Sequence, residues 1–206
     1  MKQIALIGYS GHAFVLADIA LLCGYNVIGY LEKKEKDYNP FRLKYLGTET
    51  TLGSKYLNIE KTSFIISIGN NHIRKTIINS LQNIDISYAI LQHPAAIVAF
   101  SSTIEEGSVI MASATINPLT KVGKHVICNT GCIIDHECII GDYTHIAPGA
   151  VLTGNVEVGE CTLVGANAVI KPGIKIGSNA IIGAGSVVLS DIPDNAVVYG
   201  NPAEIK

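Results

Sequence analysis

The sequence predicts a small parallel α/β domain followed by a parallel β-helix, and three patterns carry that reading. Stepping by six from Ile104 to Val188 meets fifteen consecutive positions, all aliphatic except Cys128. A column of mostly small residues lies four places after each, from Ser108 and Ala114 to Ala180 and Ser186. Glycine often follows the first column directly, as at Gly123, Gly141, Gly159, Gly165, Gly177 and Gly183. A six-residue period fits neither an amphipathic helix nor an alternating strand. It fits a coil in which each hexad forms one flat face and three faces close a triangle. The aliphatic residue fills the interior and the small one sits where space narrows toward a corner. Glycine is expected there because corner backbone often needs positive φ. Fifteen hexads make about five coils, stacked at the ~4.8 Å inter-strand spacing.

Ahead of the repeat, strands and helices alternate. "KQIALIG" reads as a buried strand, Gly11 to about Cys23 as a helix, and "YNVIGYLE" as a second strand. "SFIISIGNN" is another strand ending in a glycine turn, His72 to about Gln82 is helical, and "ISYAI" is a last strand. Such alternation implies a small Rossmann-like parallel sheet. "LQHPAAIVAFSS" leads into the coils, with Pro94 at the junction, and the chain leaves the repeat through "SDIPDNAVVYGNPAEIK". The expected organisation is an α/β domain over 1–95, a β-helix over 96–190 and a C-terminal tail over 191–206.

Composition narrows the function. The net charge of −2 comes without a Lys/Arg cluster, so a basic nucleic-acid-binding face is not expected. Five cysteines, odd in number and without a CxxC pair or metal-ligand spacing, point to a reduced cytoplasmic setting and no metal site. The apolar start is broken by Gly8, Ser10, Gly11 and His12 far short of a membrane span, so no membrane association is expected.

"GYSGHA" follows the first strand and opens the first helix, where backbone N–H groups can hold a phosphate. It is not the dinucleotide fingerprint, because Ser10 and Ala13 stand where GxGxxG needs glycine. A tight strand-to-helix turn is the plainer alternative. However, Glu32-Lys33 ends the second strand and Gly69-Asn70-Asn71 a later one, so three loops converge at one sheet edge. That favours a nucleotide-type ligand.

"IIDHECIIGDYTHIAPG" places His136 and His145 nine residues apart, with Glu137 beside the first. His136 lies two places after the interior Ile134, near a corner, and His145 directly precedes the interior Ile146. Both should project outward. A general base, a metal site and plain polar surface all remain open on the residues alone.

Together the hexad repeat, "GYSGH", "SIGNN", "IIDHECIIGDYTH" and the closing "YGNPAEIK" span essentially the whole chain. They resemble the bacterial PglD-like acetyltransferases of nucleotide-linked 4-amino-4,6-dideoxy sugars, within a wider group that includes the sialic acid O-acetyltransferase type. The resemblance implies a left-handed β-helix of hexapeptide repeats, acetyl-CoA as donor, and a homotrimer with its active site between adjacent subunits. It also implies His136 as general base, Glu137 as the carboxylate that strengthens it, and His145 as a contact to acetyl-CoA. Ala166 and Ala184 fall where backbone groups line the CoA groove. Ser10, Gly11, His12, Glu32 and Gly69 fall on the nucleotide-sugar loops. Lys33 departs from the family pattern, which can have a second acid there.

Neutral imidazole suits an amine attacking a thioester, since it accepts the proton released. Because adjacent residues on a regular strand point apart, His136 can reach Glu137 only if the corner bends them together; Asp135 and Asp142 are the alternative partners. A cysteine nucleophile is disfavoured, since Cys128, Cys132 and Cys138 belong to the interior columns. The expected function is acetyl transfer to a nucleotide-linked 4-amino sugar, with sugar O-acetylation as the nearest rival. A nicotinamide-dependent module and a purely structural β-helix are the readings from other classes.

Overall fold

A computed structural model describes residues 2–49, 52 and 59–206. The chain divides into two compact units, Met1–Leu91 and Gln92–Lys206. Among the described residues, no helix is long and apolar enough to cross a membrane.

The first unit is a four-stranded parallel sheet in the order β2–β1–β3–β4, built from β1 (Gln3–Ile7), β2 (Asn26–Leu31), β3 (Thr62–Ile66) and β4 (Ser87–Tyr88). Helices α1 (Gly11–Leu22) and α2 (Asn71–Leu81) follow β1 and β3. β1 is central, and its residues Ile4 to Ile7 are buried because both faces of the sheet are covered. Asn70 caps α2 by accepting from the Ile73 N–H at 3.0 Å. The elements read from the sequence are thus present in their expected order, and the α/β expectation holds.

The second unit is a left-handed parallel β-helix of about six turns. Face one runs through Ile97–Val98, Thr115–Ile116, Ile133–Ile134, Val151–Leu152, Val169–Ile170 and Val187–Val188. Face two runs from Thr103–Ile104 to Lys175–Ile176, and face three takes in Val109–Ile110 through Ile181–Ile182. Face one begins one hexad before Ile104, so there are more turns than the five expected. Val197–Gly200 then adds to face three beside Ile181–Ile182, and Ala203–Ile205 folds back antiparallel to it.

Both columns are interior. The large column from Ile110 to Val188 and the small column from Ser108 to Ser186 are buried throughout. Four polar members of the small column are satisfied by one repeated bond to a carbonyl fifteen residues on, and Ser186 accepts from the Gly200 N–H at 3.3 Å. Ser108 donates to Gly123 O, Thr120 to Asp135 O, Thr144 to Gly159 O and Thr162 to Gly177 O, at 2.7–2.9 Å. A buried hydroxyl that keeps its hydrogen bond costs little.

The glycines after the large column act differently from the expectation. Positive φ falls two residues later, at Ser113, Leu119, His125, Gly131, Glu137, Tyr143 and their successors every sixth residue to Gly185. Gly141, Gly159, Gly165 and Gly177 instead stand where a Cβ would lie 2.4–2.7 Å from a backbone nitrogen of the next coil. They are needed for close approach, not for a left-handed backbone.

This distinction is testable by thermal denaturation. Gly131→Ala has open space but positive φ, and should cost about 1 kcal/mol. Gly159→Ala forces its methyl into the Ser178 amide, and should cost about 2–3 kcal/mol as an overpacked site. Equal losses would refute the close-approach explanation.

Candidate functional site

In the α/β unit the expected loops meet at the carboxyl edge of the sheet. The Gly8 N–H donates to Leu31 O at 2.9 Å, and the Tyr9 N–H to Glu32 Oε2 at 3.3 Å. The Ser67 hydroxyl donates to Ile7 O and Gly8 O, tying the 67–69 loop to the same turn. Glu32 is thereby engaged internally, since Oε1 also accepts from the Lys33 N–H at 2.9 Å and Lys36 Nζ lies 3.4 Å from Oε2. Burial pushes its carboxyl up, but the Lys33 and Tyr9 amides and the Lys36 ammonium outweigh that and hold it below the usual range. Lys33 is exposed.

Ser10 stands at the α1 N-cap without a side-chain cap bond, and His12 is half-buried on the first turn. Gly11 and Gly69 have no atom within 4 Å of where a Cβ would be, and neither has positive φ. The packing and backbone of this unit therefore give no reason for glycine at either place. Arg74 braces the second loop, with Nη1 donating to Ile68 O at 3.0 Å and to Gly69 O at 3.2 Å.

In the β-helix, His136 and Glu137 occupy the corner from face one to face two. Glu137 has φ 61°, and this left-handed kink brings two adjacent side chains together: His136 Nδ1 lies 3.0 Å from Glu137 Oε2. A carboxylate only accepts, so in the neutral imidazole Nδ1 carries the proton and Nε2 keeps its lone pair. Asp135 serves the backbone and not the ring. Its Oδ1 accepts from the His136 N–H and from Asn117 Nδ2, both at 2.8 Å. Those two donors, Asn117 first, hold the Asp135 carboxyl below its usual range. Asp142 is committed elsewhere, accepting from the Lys124 N–H at 2.8 Å.

Gly154, one coil later, was not singled out by the sequence pattern. A Cβ there would lie 2.5 Å from His136 Cε1 and 2.6 Å from Nε2, although its φ is not positive. Glycine is required because the imidazole lies over it. The available signal was its place eighteen residues after His136, one full turn on the same corner.

His145 projects from face three and is half-buried. The Asn129 side chain accepts from the Thr130 N–H at 2.7 Å through Oδ1, which turns Nδ2 toward His145 Nε2 at 3.0 Å. His145 Nε2 is therefore the acceptor. Ala166 and Ala184 stack on consecutive turns of the corner from face three to face one, joined by the Gly185 N–H bond to Ala166 O at 2.8 Å. His136 and the two alanines thus stand at opposite edges of face one.

Cys128, Cys132 and Cys138 are buried. Its hydrogen bond with Cys132, reinforced by burial, pushes the Cys128 thiol well up, and burial pushes up that of Cys138. His125 is buried and stacked on Tyr143, with ring centroids 5.6 Å apart. Among the described residues, no three His, Cys, Asp or Glu side chains converge as a metal site would need. A hollow of about 620 Å³ lies on face two, lined by residues that include Ile139, Glu157, Lys175 and Asp194 but none of these histidines.

Residues 3–81 match the PglD N-terminal domain family, and residues 155–190 match the bacterial transferase hexapeptide (six repeats) family. The acetyltransferase domain of PglB from Neisseria gonorrhoeae FA1090, solved in complex with acetyl coenzyme A, is 35% identical; the match covers 100% of this chain and 99% of that one, with a TM-score of 0.93. PerB from Caulobacter crescentus, solved with CoA and GDP-perosamine, is 32% identical over 100% of this chain and 98% of its own, with a TM-score of 0.92. GDP-perosamine N-acetyltransferase of Escherichia coli O157:H7 is 34% identical over 119 residues, 58% of this chain and 52% of that protein. The match thus spans about half the length of the curated relative.

Thiol titration checks the environment of the cysteines. In the native protein, Cys23, which is exposed, should react rapidly at neutral pH. Cys128, Cys132 and Cys138 should react only after denaturation, since all three are buried and the Cys128 and Cys138 thiols are also pushed up.

Proposed function

Because this chain belongs to the PglD-type family, in which a PglD N-terminal domain accompanies bacterial transferase hexapeptide repeats, we propose that it transfers acetyl from acetyl-CoA to the 4-amino group of a nucleotide-linked 4-amino-4,6-dideoxy sugar. The observation that carries the reading is the His136–Glu137 contact at an exposed corner, 3.0 Å long, which leaves Nε2 as a proton acceptor. The amine nitrogen attacks the thioester carbonyl and His136 Nε2 takes the proton it sheds. The C–S bond then breaks, and that proton passes to the departing thiolate to give CoA. No acyl-enzyme is needed, consistent with Cys128 and Cys138 being buried and hard to ionise.

His145, Ala166 and Ala184 serve the acetyl-CoA side in this proposal. Ala166 and Ala184 stand across face one from His136, and His145 projects from face three, so in this reading a complete site takes its base from one copy and its donor contacts from a neighbour. Face one supports such packing: its outward ladder of Ile97, Thr115, Ile133, Val151, Val169 and Val187 is uncharged and largely apolar. Face two instead carries the Lys175–Glu157 ion pair at 3.0 Å. A cyclic homotrimer satisfies this arrangement. The nucleotide is assigned to the α/β unit. Ser10, Gly11 and His12 present the α1 N-terminus to its phosphates, with Gly69 leaving room and Glu32 and Lys33 at the rim. The enzyme is placed in the cytoplasm, where acetyl-CoA and nucleotide sugars are made.

Acetyl transfer to a nucleotide-linked 4-amino-4,6-dideoxy sugar, compared with the corresponding hydroxyl sugar, should show the amine as the much better acceptor. Preferred O-acetylation would overturn the substrate class. A monomeric mass with full activity would overturn the shared site.

His136→Ala should lower kcat by about 10²–10⁴-fold, the usual worth of a general base, with little change in acceptor KM. Glu137→Gln should fall between wild type and His136→Ala, since an amide oxygen still accepts from Nδ1 but without the charge. His145→Ala should chiefly raise the acetyl-CoA KM. The reverse pattern for the two histidines, measured by steady-state kinetics, would exchange their roles.

A further inference from the structure

We propose that Leu119 is a specificity residue, an apolar seat beside His136 that selects an acceptor carrying a methyl where other hexoses carry a hydroxymethyl group. This rests on the acetyl-transfer reading above. Leu119 lies eighteen residues before Glu137, on the same corner one turn earlier. The two turns are joined there, since the Glu137 N–H donates to Pro118 O at 3.0 Å. From the other side, the Leu119 N–H donates to Ser101 Oγ at 3.2 Å. The position is therefore rigidly held, about one 4.8 Å coil spacing from the proposed catalytic pair.

Leu119 suits this position poorly on structural grounds. Its φ is 66°, a conformation leucine disfavours, and its side chain is 58% exposed. Its left-handed counterparts are accounted for. Asn155, Asn167 and Asn179 tolerate the conformation, His125 and Cys161 are buried, and Tyr143 stacks on His125. Ser113 is small and polar, and Glu137 bonds His136. Leucine alone combines the strained backbone with an exposed apolar side chain. Phe100, two turns before His136 on the same corner, is fully exposed and extends the apolar strip.

The chemistry of the acceptor fits the position. In a 4-amino-4,6-dideoxy hexose, C5 bears the methyl and adjoins the carbon bearing the amine. With the amine at His136 Nε2, the methyl falls within a coil spacing of the reacting nitrogen. The adjacent turn on one side is closed by the ring lying over Gly154, and on the other side stands Leu119. A hydroxymethyl group pressed on leucine loses water without gaining a hydrogen bond.

Leu119→Asn separates this role from a structural one, because asparagine relieves both the strain and the exposure. Melting temperature, native mass, acetyl-CoA KM and kinetics with 6-deoxy and 6-hydroxy nucleotide-linked 4-amino sugars are measured for wild type and variant. The expected result is an unchanged or raised melting temperature, unchanged mass and unchanged acetyl-CoA KM. The KM for the 6-deoxy acceptor should rise about tenfold, and the preference over the 6-hydroxy acceptor should fall by a similar factor. An unchanged acceptor KM and preference would overturn the proposal. So would a lower melting temperature or a dissociated assembly, either of which makes Leu119 a packing residue. If wild type acetylates neither amine, the acetyl-transfer reading fails first, a result distinct from an active enzyme with an indifferent variant.

Discussion

Each turn of the β-helix is bonded to the next by a backbone ladder of fixed register, and the remaining features of that unit depend on it. On the faces, an N–H donates to the carbonyl seventeen residues ahead, as from Ile133 to Ala150 and from Ala147 to Val164, both at 2.9 Å. At the corners an N–H reaches back nineteen, as from His125 to Glu106 and from Asn155 to His136, also at 2.9 Å. Both bonds are satisfied only when a turn contains eighteen residues. The ladder thus holds a chain whose strands are two residues long and have almost no cooperativity of their own. It also makes every side chain the neighbour of the one eighteen positions away.

That neighbour relation builds the corner proposed as catalytic. Asn117 is under Asp135, Asp135 holds the His136 amide, and Gly154 leaves the slot into which the imidazole fits. None of these three touches the imidazole by a hydrogen bond, yet each restricts where Nε2 can be. The α/β unit uses another device for the same end. Glu32, Ser67 and Arg74 direct hydrogen bonds to loop backbones, which fixes the turn before Gly11 at the start of α1 and the loop at Gly69, and both glycines face open space.

The hexad columns were legible because burial acts residue by residue: one interior position in six must be large, and another small. The order of elements in the α/β unit was legible for the same reason. What the sequence concealed depends on the turn and not on the hexad. The close-approach role of Gly159 is set by Ser178 on the next turn, and that of Gly154 by His136 on the previous one. A six-residue reading assigns Gly159 to corner conformation and passes over Gly154. The corner geometry was concealed as well, since a regular strand turns adjacent side chains apart and only a bend could bring His136 and Glu137 together.

Positive φ alone does not mark the site. It recurs at every corner, where a non-glycine residue gives up about 1–2 kcal/mol, and the ladder imposes it on Asn155 as firmly as on Glu137. What differs is the use of the conformation. At Asn155 it only turns the chain, and asparagine is the residue other than glycine that tolerates it best. At Glu137 the same kink points a carboxylate at the preceding imidazole, a contact that adjacent residues on a straight strand cannot make. An ordinary structural corner thus supplies the geometry of the proposed acid–base pair without extra scaffold. The functional signal is therefore a residue whose chemistry suits a ligand better than it suits the turn.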